Sequence, residues 1–105
     1  MIKVAVLGAN NQVEHLEASG HALSDKYGKD LVCAGVSAIM FGLINMLDEK
    51  MKSEVKIEVT EIIAISVIKN SEELQTMLRT GIFQLKYLAE KYPQNITINV
   101  KGVKL

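Results

Sequence analysis

The chain contains one cysteine, Cys33, and a histidine, His21, that precedes it by twelve residues. A cysteine thiolate is a strong nucleophile, and an imidazole beside it can accept the thiol proton and later deliver that proton to a leaving amine. The segment between them, 24–29, is made of polar and glycine-type residues and is long enough to fold the end of a strand back against the start of a helix. These residue types indicate acyl transfer by a cysteine and histidine pair.

The residues before Cys33 predict that the thiol lies at the beginning of a helix. We expect this helix to start at about Leu31, with Gly28 and Lys29 in a turn and Asp30 as the N-cap, because an aspartate can accept amide hydrogens two or three residues further on. Cys33 would then be the third helical residue. There the positive end of the helix dipole favours the thiolate, and free backbone amides could also stabilise an oxyanion. Asp30 could in addition orient His21.

Small side chains surround both candidate catalytic residues. Gly20 precedes His21, while Ala34 and Gly35 follow Cys33 and leave the helix surface beside the thiol free of bulk. Ser37 lies four residues after Cys33, on the same helical face, where it could form a supporting hydrogen bond. A peptide could approach such a surface.

Hydrophobic periodicity predicts the elements that would position this pair. Alternation of apolar and polar residues indicates strands, and apolar residues at helical spacing indicate helices. The predicted strands are 2–8, 12–22, 55–59, 62–68 and 96–100, and the predicted helices are 31–49 and a second one that ends at Pro93. The order β-β-α-β-β-α-β predicts an α/β fold of the α+β sandwich type, with a mixed, mostly antiparallel sheet and two helices on one face.

Local signals add four expectations to this layout. The first helix should be long and mostly buried, with the run 48–52 as its solvated end. Residues 60–61 should form a tight hairpin rather than a bulge within one longer strand. Asn70 or Ser71 should cap the second helix. Gly81 lies on the buried stripe of that helix, so another element should pack closely against it.

Composition predicts a single domain over 1–105 that needs neither a metal nor a cofactor. The chain has twelve basic and twelve acidic residues and no tryptophan, which argues against a nucleic-acid partner. The lone cysteine and the absence of a signal-peptide pattern favour the cytoplasm. We expect no transmembrane segment and no membrane partner, since the longest unbroken apolar run, 62–65, is short.

Two short motifs resemble those of a known family, the ribosomal-processing cysteine proteases called Prp. Gly20-His21-Ala22 is similar to the family's histidine element, and the segment from Asp30 to Ser37 is similar to its Asp-x-Val-Cys-Ala-(Ala/Gly)-x-Ser element. The resemblance implies that His21 and Cys33 are catalytic. It also implies a homodimeric, metal-independent enzyme that removes a short N-terminal extension from a large-subunit ribosomal protein by cleavage after an aromatic residue.

Three other interpretations remain beside this one. The chain could be a ribosome-associated assembly factor that binds the same peptide without cleaving it. It could be a thiol sensor in which Cys33 forms a sulfenic acid, although it has no second cysteine to resolve that acid. A metal cluster of His15, His21 and Cys33 is the least favoured, because the spacing differs from that of zinc motifs.

Overall fold

The computed structural model of the chain describes the backbone of residues 1–20 and 27–105 and the side chains of 1–20 and 31–105. Within these ranges it contains five strands and two helices in the predicted order. The strands are β1 (Ile2–Ala9), β2 (Gln12–Ser19), β3 (Val55–Val59), β4 (Ile63–Val67) and β5 (Ile96–Lys101). The helices are α1 (Tyr27–Lys50) and α2 (Glu72–Lys91).

The strands form one mixed sheet in the order β3-β4-β2-β1-β5. All neighbouring pairs are antiparallel except β1 and β5, which run parallel. The expected hairpin is confirmed, because β3 and β4 pair antiparallel with Val59 opposite Ile63. The ends of β2 and β3 and the start of β4 therefore lie along one end of the sheet, from which the chain leaves toward His21.

Alternate strand positions face a single hydrophobic core. Val4 and Val6 of β1 and Leu16 of β2 are buried with the apolar residues of both helices in one cluster, whereas the positions between them are partly or fully exposed. A sheet with one buried and one solvated face is typical of antiparallel packing against helices. The prediction of two helices on one face of a mixed sheet is confirmed.

The turn and cap signals explain how the elements are joined. Asn10 and Asn11 both have positive φ angles, 52° and 58°, which a two-residue hairpin turn requires and asparagine tolerates. Ser71, rather than Asn70, caps α2, and its hydroxyl accepts a hydrogen bond from the Leu74 amide at 3.1 Å. Gly81 packs against Leu43 of α1, as its place on the buried stripe predicted.

The start of α1 differs from the expectation. The helix begins at Tyr27, so Asp30 is inside it and is not its N-cap, and Cys33 is the seventh helical residue instead of the third. Gly28 is therefore a helical residue and not part of the expected turn. A single glycine, however, costs a helix only about 1 kcal/mol relative to alanine, which the rest of a long helix can offset.

Helix α1 is also less buried than its composition indicated. Within an 18-residue window of the stretch Leu31–Lys50 only 33% of the residues are buried, although Met51, expected at the solvated end, lies in the core. In length and composition this stretch would suffice to cross a membrane, which the short unbroken apolar runs of the sequence did not indicate. A core helix of a globular domain meets the same criterion, and α1 contributes Val32, Val36 and Leu47 to the core.

Candidate active site

Cys33 lies on a flank of α1, between its buried and exposed faces. Val32 and Val36 are buried and Ala34 is exposed, while Cys33 is partly exposed and packs at the border of the core. Because successive helical residues turn by about 100°, Ser37 lies on the same flank one turn further on. Both side chains are described, and no hydrogen bond joins them.

The opposite flank of α1 faces α2. A Cβ atom built on Gly35 would lie 3.2 Å from the Leu88 side chain of α2, and one built on Gly81 of α2 would lie 2.9 Å from Leu43 of α1. The small residue expected to keep the thiol surface open, Gly35, therefore allows the two helices to approach each other. Cys33 opens on the side away from α2.

The flank of α1 that carries Cys33 faces the free edge of the sheet, which is formed by β3. Helix α2 contacts β2 and β5, so α1, beside it, extends toward the β4 and β3 half. Along the core-facing side of β3 exposure rises from Val55, which is buried, through Ile57 to Val59, which is 52% exposed. We name the surface formed by Ile57 and Val59 the β3 ledge. It lies at the end of the sheet near the start of α1.

One of the chain's two histidines, His15, lies within the described residues. His15 of β2 points away from the helices, and its two ring nitrogens contact Ser66 Oγ at 2.9 Å and Glu17 Oε1 at 2.8 Å. His15 and Cys33 are thus on opposite faces of the sheet, which rules out the metal cluster of His15, His21 and Cys33. Within the described side chains no group of three or more metal-ligating residues occurs.

The residue before His21 has an unusual backbone. Gly20 has a φ of +74°, and a Cβ atom built on it would lie 2.4 Å from the Met1 carbonyl oxygen. A side chain is therefore disfavoured on two grounds, the left-handed conformation and the close approach of the first residue. His21 itself, and the segment 24–26 that was expected to bridge it to α1, lie outside the described residues.

The amide groups expected around Cys33 are differently placed. An α-helix leaves its first four N–H groups without intrahelical partners, and in α1 these belong to the turn that begins at Tyr27. The Cys33 amide lies further along the helix. Since a Cα–Cβ bond tilts toward the helix N-terminus, the thiol leans back toward that first turn. The side chain of Asp30 is outside the described part of the chain.

Comparison with known proteins identifies the family to which this arrangement belongs. The model of the family "Cysteine protease Prp" matches residues 1–97, so the fold is that of a family of small cysteine peptidases. The chain belongs to the Prp family and is a cysteine protease.

Relatives and solved structures agree with this assignment. The chain is 38% identical over 82 residues to the ribosomal processing cysteine protease Prp of Mycoplasma pneumoniae, which covers 78% of this chain and 82% of the relative. It superposes on the S. aureus Prp protease in complex with a substrate peptide with a TM-score of 0.87 and 30% identity, over 96% of this chain and all of the other. A second S. aureus Prp structure holds a covalently linked product peptide (TM-score 0.84, 31% identity, 96% of this chain and 100% of that one).

The β3 ledge could not be predicted from the sequence. The β-branched residues of 55–59 predicted a strand, but the sequence contains no sign that the helices leave Val59 uncovered.

Proposed function

We propose that this protein removes a short N-terminal extension from a large-subunit ribosomal protein, with Cys33 as nucleophile and His21 as general base and acid. Cleavage follows an aromatic residue, and the enzyme acts in the cytoplasm as a homodimer, as the family resemblance implies. The reaction is hydrolysis of one peptide bond and needs no metal.

One observation carries the assignment of the nucleophile. The chain belongs to a family of cysteine proteases, and Cys33 is its only cysteine. The position of this residue on a partly exposed helix flank is consistent with the role, because a substrate carbonyl must reach the sulfur.

The position of His15 supports the assignment of His21 as the base. His15 is on the far face of the sheet, where Ser66 and Glu17 occupy both of its ring nitrogens. Only His21 remains, and the chain leads directly to it from Gly20 at the end of the sheet near the start of α1.

The long α1 helix changes how the thiol would be activated. The effect of a helix dipole falls off within the first turn, and Cys33 lies beyond that turn. Deprotonation of the thiol therefore depends more on His21 than a helix starting at Leu31 would have required. Thiol reactivity should accordingly fall when His21 is removed.

The reaction proceeds in two acyl-transfer steps. His21 accepts the thiol proton, and the Cys33 sulfur attacks the scissile carbonyl carbon to form a tetrahedral oxyanion. When this collapses, the C–N bond breaks, the amine leaves with the proton from His21, and a thioester remains. His21 then takes a proton from water, which attacks the thioester and releases the carboxylate and the free thiol. Backbone N–H groups of the first turn of α1 are candidates to hold the oxyanion.

The test is cleavage of the host's extended ribosomal protein by four forms of the enzyme, read by the masses of the products. The wild type and His15→Ala should make a single cut near the substrate's N-terminus, whereas Cys33→Ala and His21→Ala should lose nearly all turnover. His15→Ala is the matched control, since it removes the other histidine from the opposite face of the sheet.

Each alternative outcome has a distinct meaning. Full activity of His21→Ala would refute the Cys33 and His21 pair. Peptide binding by the wild type without any cut would replace the peptidase by the assembly-factor interpretation. A disulfide-linked dimer formed under mild peroxide, without any proteolysis, would favour the thiol sensor. Iodoacetamide labelling of Cys33 that is equally fast in wild type and His21→Ala would refute activation by His21.

A further inference from the structure

The charges of the chain are separated along its length. Twelve basic and twelve acidic residues balance overall, but five basic residues and one acidic residue lie after Leu78, so seven basic and eleven acidic residues precede it. Residues 79–105 therefore carry a net charge of +4 and the preceding residues carry −4. A basic segment of this kind is typical of proteins that bind an anionic partner. The overall balance, which argued against a nucleic-acid partner, conceals it.

Helix α2 places part of this positive charge beside two exposed aromatic rings. Phe83 is 51% exposed and Tyr87 is 58% exposed, and their spacing of four residues puts them on one face of the helix. Basic side chains flank both rings at helical spacing, and Glu90 is the acidic residue nearest to them in the sequence. We name this surface the α2 stripe; it consists of Arg79, Phe83, Lys86, Tyr87 and Lys91.

The two lysines of the α2 stripe contact aromatic rings and not carboxylates. The Lys86 ammonium lies 5.3 Å from the centroid of the Phe83 ring, and the Lys91 ammonium lies 5.8 Å from that of Tyr87. Among the side chains that the structure describes, neither lysine forms an ion pair. Exposed cation–π contacts are weak, so both charges can be transferred to an anionic partner.

Arg79 joins the α2 stripe to the C-terminal segment. Its guanidinium donates to the carbonyl oxygens of Lys104 at 2.7 Å and of Asn11 at 2.9 Å. A guanidinium has five N–H donors and stays protonated, so Arg79 keeps its charge and can still bind an anion. The exposed side chain of Lys104 adds a fourth cation at this end of the stripe.

We propose that the α2 stripe binds unpaired RNA, with bases stacked on Phe83 and Tyr87 and phosphates in contact with the basic side chains. Proteins that bind single strands combine a cationic surface with aromatic side chains on which successive bases stack. Four helical residues separate the two rings by about 6 Å along the helix axis, more than the ~3.4 Å between stacked bases of a duplex strand. An unstacked strand can therefore place one base on each ring.

RNA matches both components of the α2 stripe, whereas other anionic partners match one. An acidic peptide would pair with the cations and leave the two rings without a specific contact. A lipid surface requires a broad apolar face, but Lys86 lies between the rings and Glu90 follows them. The choice of RNA rests on the proposed function, because the proposed substrate is a ribosomal protein and such proteins assemble on RNA.

The α2 stripe lies beside the candidate active site without covering it. A Cβ atom built on Gly35 of α1 would lie 3.2 Å from the side chain of Leu88, so the C-terminal end of α2 is beside the start of α1. Cys33 opens on the side away from α2. RNA bound to the stripe would therefore leave the thiol accessible, and substitutions in the stripe should not change cleavage of an isolated peptide.

The test is the fluorescence anisotropy of a labelled single-stranded RNA of about twelve nucleotides, titrated with the full chain. Four phosphate contacts at ~0.7 each predict that the dissociation constant rises about 50-fold between about 50 mM and about 200 mM salt. Lys86→Gln combined with Lys91→Gln should reduce this salt dependence by about half on a logarithmic scale. Lys52→Gln combined with Lys56→Gln is the matched control, because it removes two charges beside β3 and should leave the salt dependence unchanged.

Aromatic variants separate stacking from charge. Phe83→Leu combined with Tyr87→Leu keeps the charges and the apolar surface, and should raise the dissociation constant at least about tenfold because the bases lose their stacking partners. Phe83→Tyr combined with Tyr87→Phe keeps both rings and should stay within about threefold of the wild type. Both side chains are more than half exposed, so thermal unfolding should show that each double variant is folded.

Five results would overturn the proposal. The wild type might fail to bind RNA at low salt, or the leucine double variant might bind as tightly as the wild type. An RNA duplex that binds as tightly as the single strand would exclude stacking on the rings. Polyglutamate that competes as well as RNA would make an acidic protein the partner. A changed oligomeric state of the stripe variants in sedimentation velocity would make the α2 stripe a contact between copies of the chain.

Failure of this inference can be distinguished from failure of the proposed function. Cys33→Ala should bind RNA like the wild type while losing all cleavage. A wild type that cleaves its substrate but binds no RNA would refute the α2 stripe alone, whereas a wild type that binds RNA through the stripe without cleaving would refute only the peptidase.

Discussion

Replacement of Gly20 by alanine should lower activity more than stability. Alanine at a φ of +74° costs about 1 to 2 kcal/mol. The new Cβ would lie 2.4 Å from the Met1 carbonyl oxygen, and ordinary contact begins at 3.4 Å, so the chain must move by about 1 Å. Either Met1 or the backbone that leads to His21 must therefore shift.

The expected loss of activity depends on whether this shift reaches the backbone that leads to His21. A misplacement of about 1 Å in a catalytic group can reduce a rate about 100-fold. We therefore expect kcat/KM for a fluorogenic substrate peptide to fall roughly 10- to 100-fold, while urea unfolding shows a loss of only about 1 to 2 kcal/mol. Cys33→Ala in the same assay gives the background rate.

Two further variants separate the causes. Gly20→Asn introduces the same Cβ clash, but asparagine tolerates a positive φ, so it should lose activity like alanine with a smaller loss of stability. Gly42→Ala adds a Cβ where nothing lies within 4 Å and should leave kcat/KM unchanged. Wild-type kcat/KM and wild-type unfolding in Gly20→Ala would refute the argument that this position directs the chain to His21.

Two stability predictions concern α2. The buried Gln75 side chain accepts from the Val13 amide and donates to the Val13 carbonyl, both at 2.8 Å, and also donates to Asn70. Gln75→Met leaves two buried backbone groups unpaired and should lower the free energy of unfolding by about 2 to 4 kcal/mol; an effect no larger than that of Gln94→Met, at an exposed glutamine, would contradict this. Ser71→Ala removes the cap hydrogen bond to Leu74 and should cost about 1 kcal/mol, whereas Ser71→Asp should retain wild-type stability in thermal unfolding, and equal losses in both variants would argue against the cap.

The sequence was sufficient to predict the sheet and α2, because there the local signals agree with the tertiary packing. Alternation over 2–8 predicted a strand, and its apolar residues Ile2, Val4 and Val6 are all buried. Ser71 caps the start of α2, and Pro93 prevents the helix from continuing. Both effects depend only on nearby backbone. In each case short-range chemistry decides the outcome.

Helix α1 shows why the rest could not be predicted. An apolar residue at helical spacing looks the same whether it packs on the sheet or faces outward, so Phe41 and Leu31 could not be told apart from Val32 by pattern alone. Gly28 is equally compatible with a turn and with a helix interior. The position of Cys33 relative to the helix start depends on that choice, and so does the expected source of its activation. The assignment of His21 and Cys33 as catalytic stays a prediction.

The positions of the two chain ends have a practical consequence for handling the protein. The Met1 carbonyl lies against Gly20, one residue before His21, whereas the Lys104 amide donates to Asn11 Oδ1 and Arg79 binds the Lys104 carbonyl at the other end of the sheet. A purification tag fused before Met1 would emerge beside the candidate active site and could occupy it as a tethered peptide. A tag fused after Leu105 would emerge far from the thiol, so assays of cleavage are best made with C-terminal fusions.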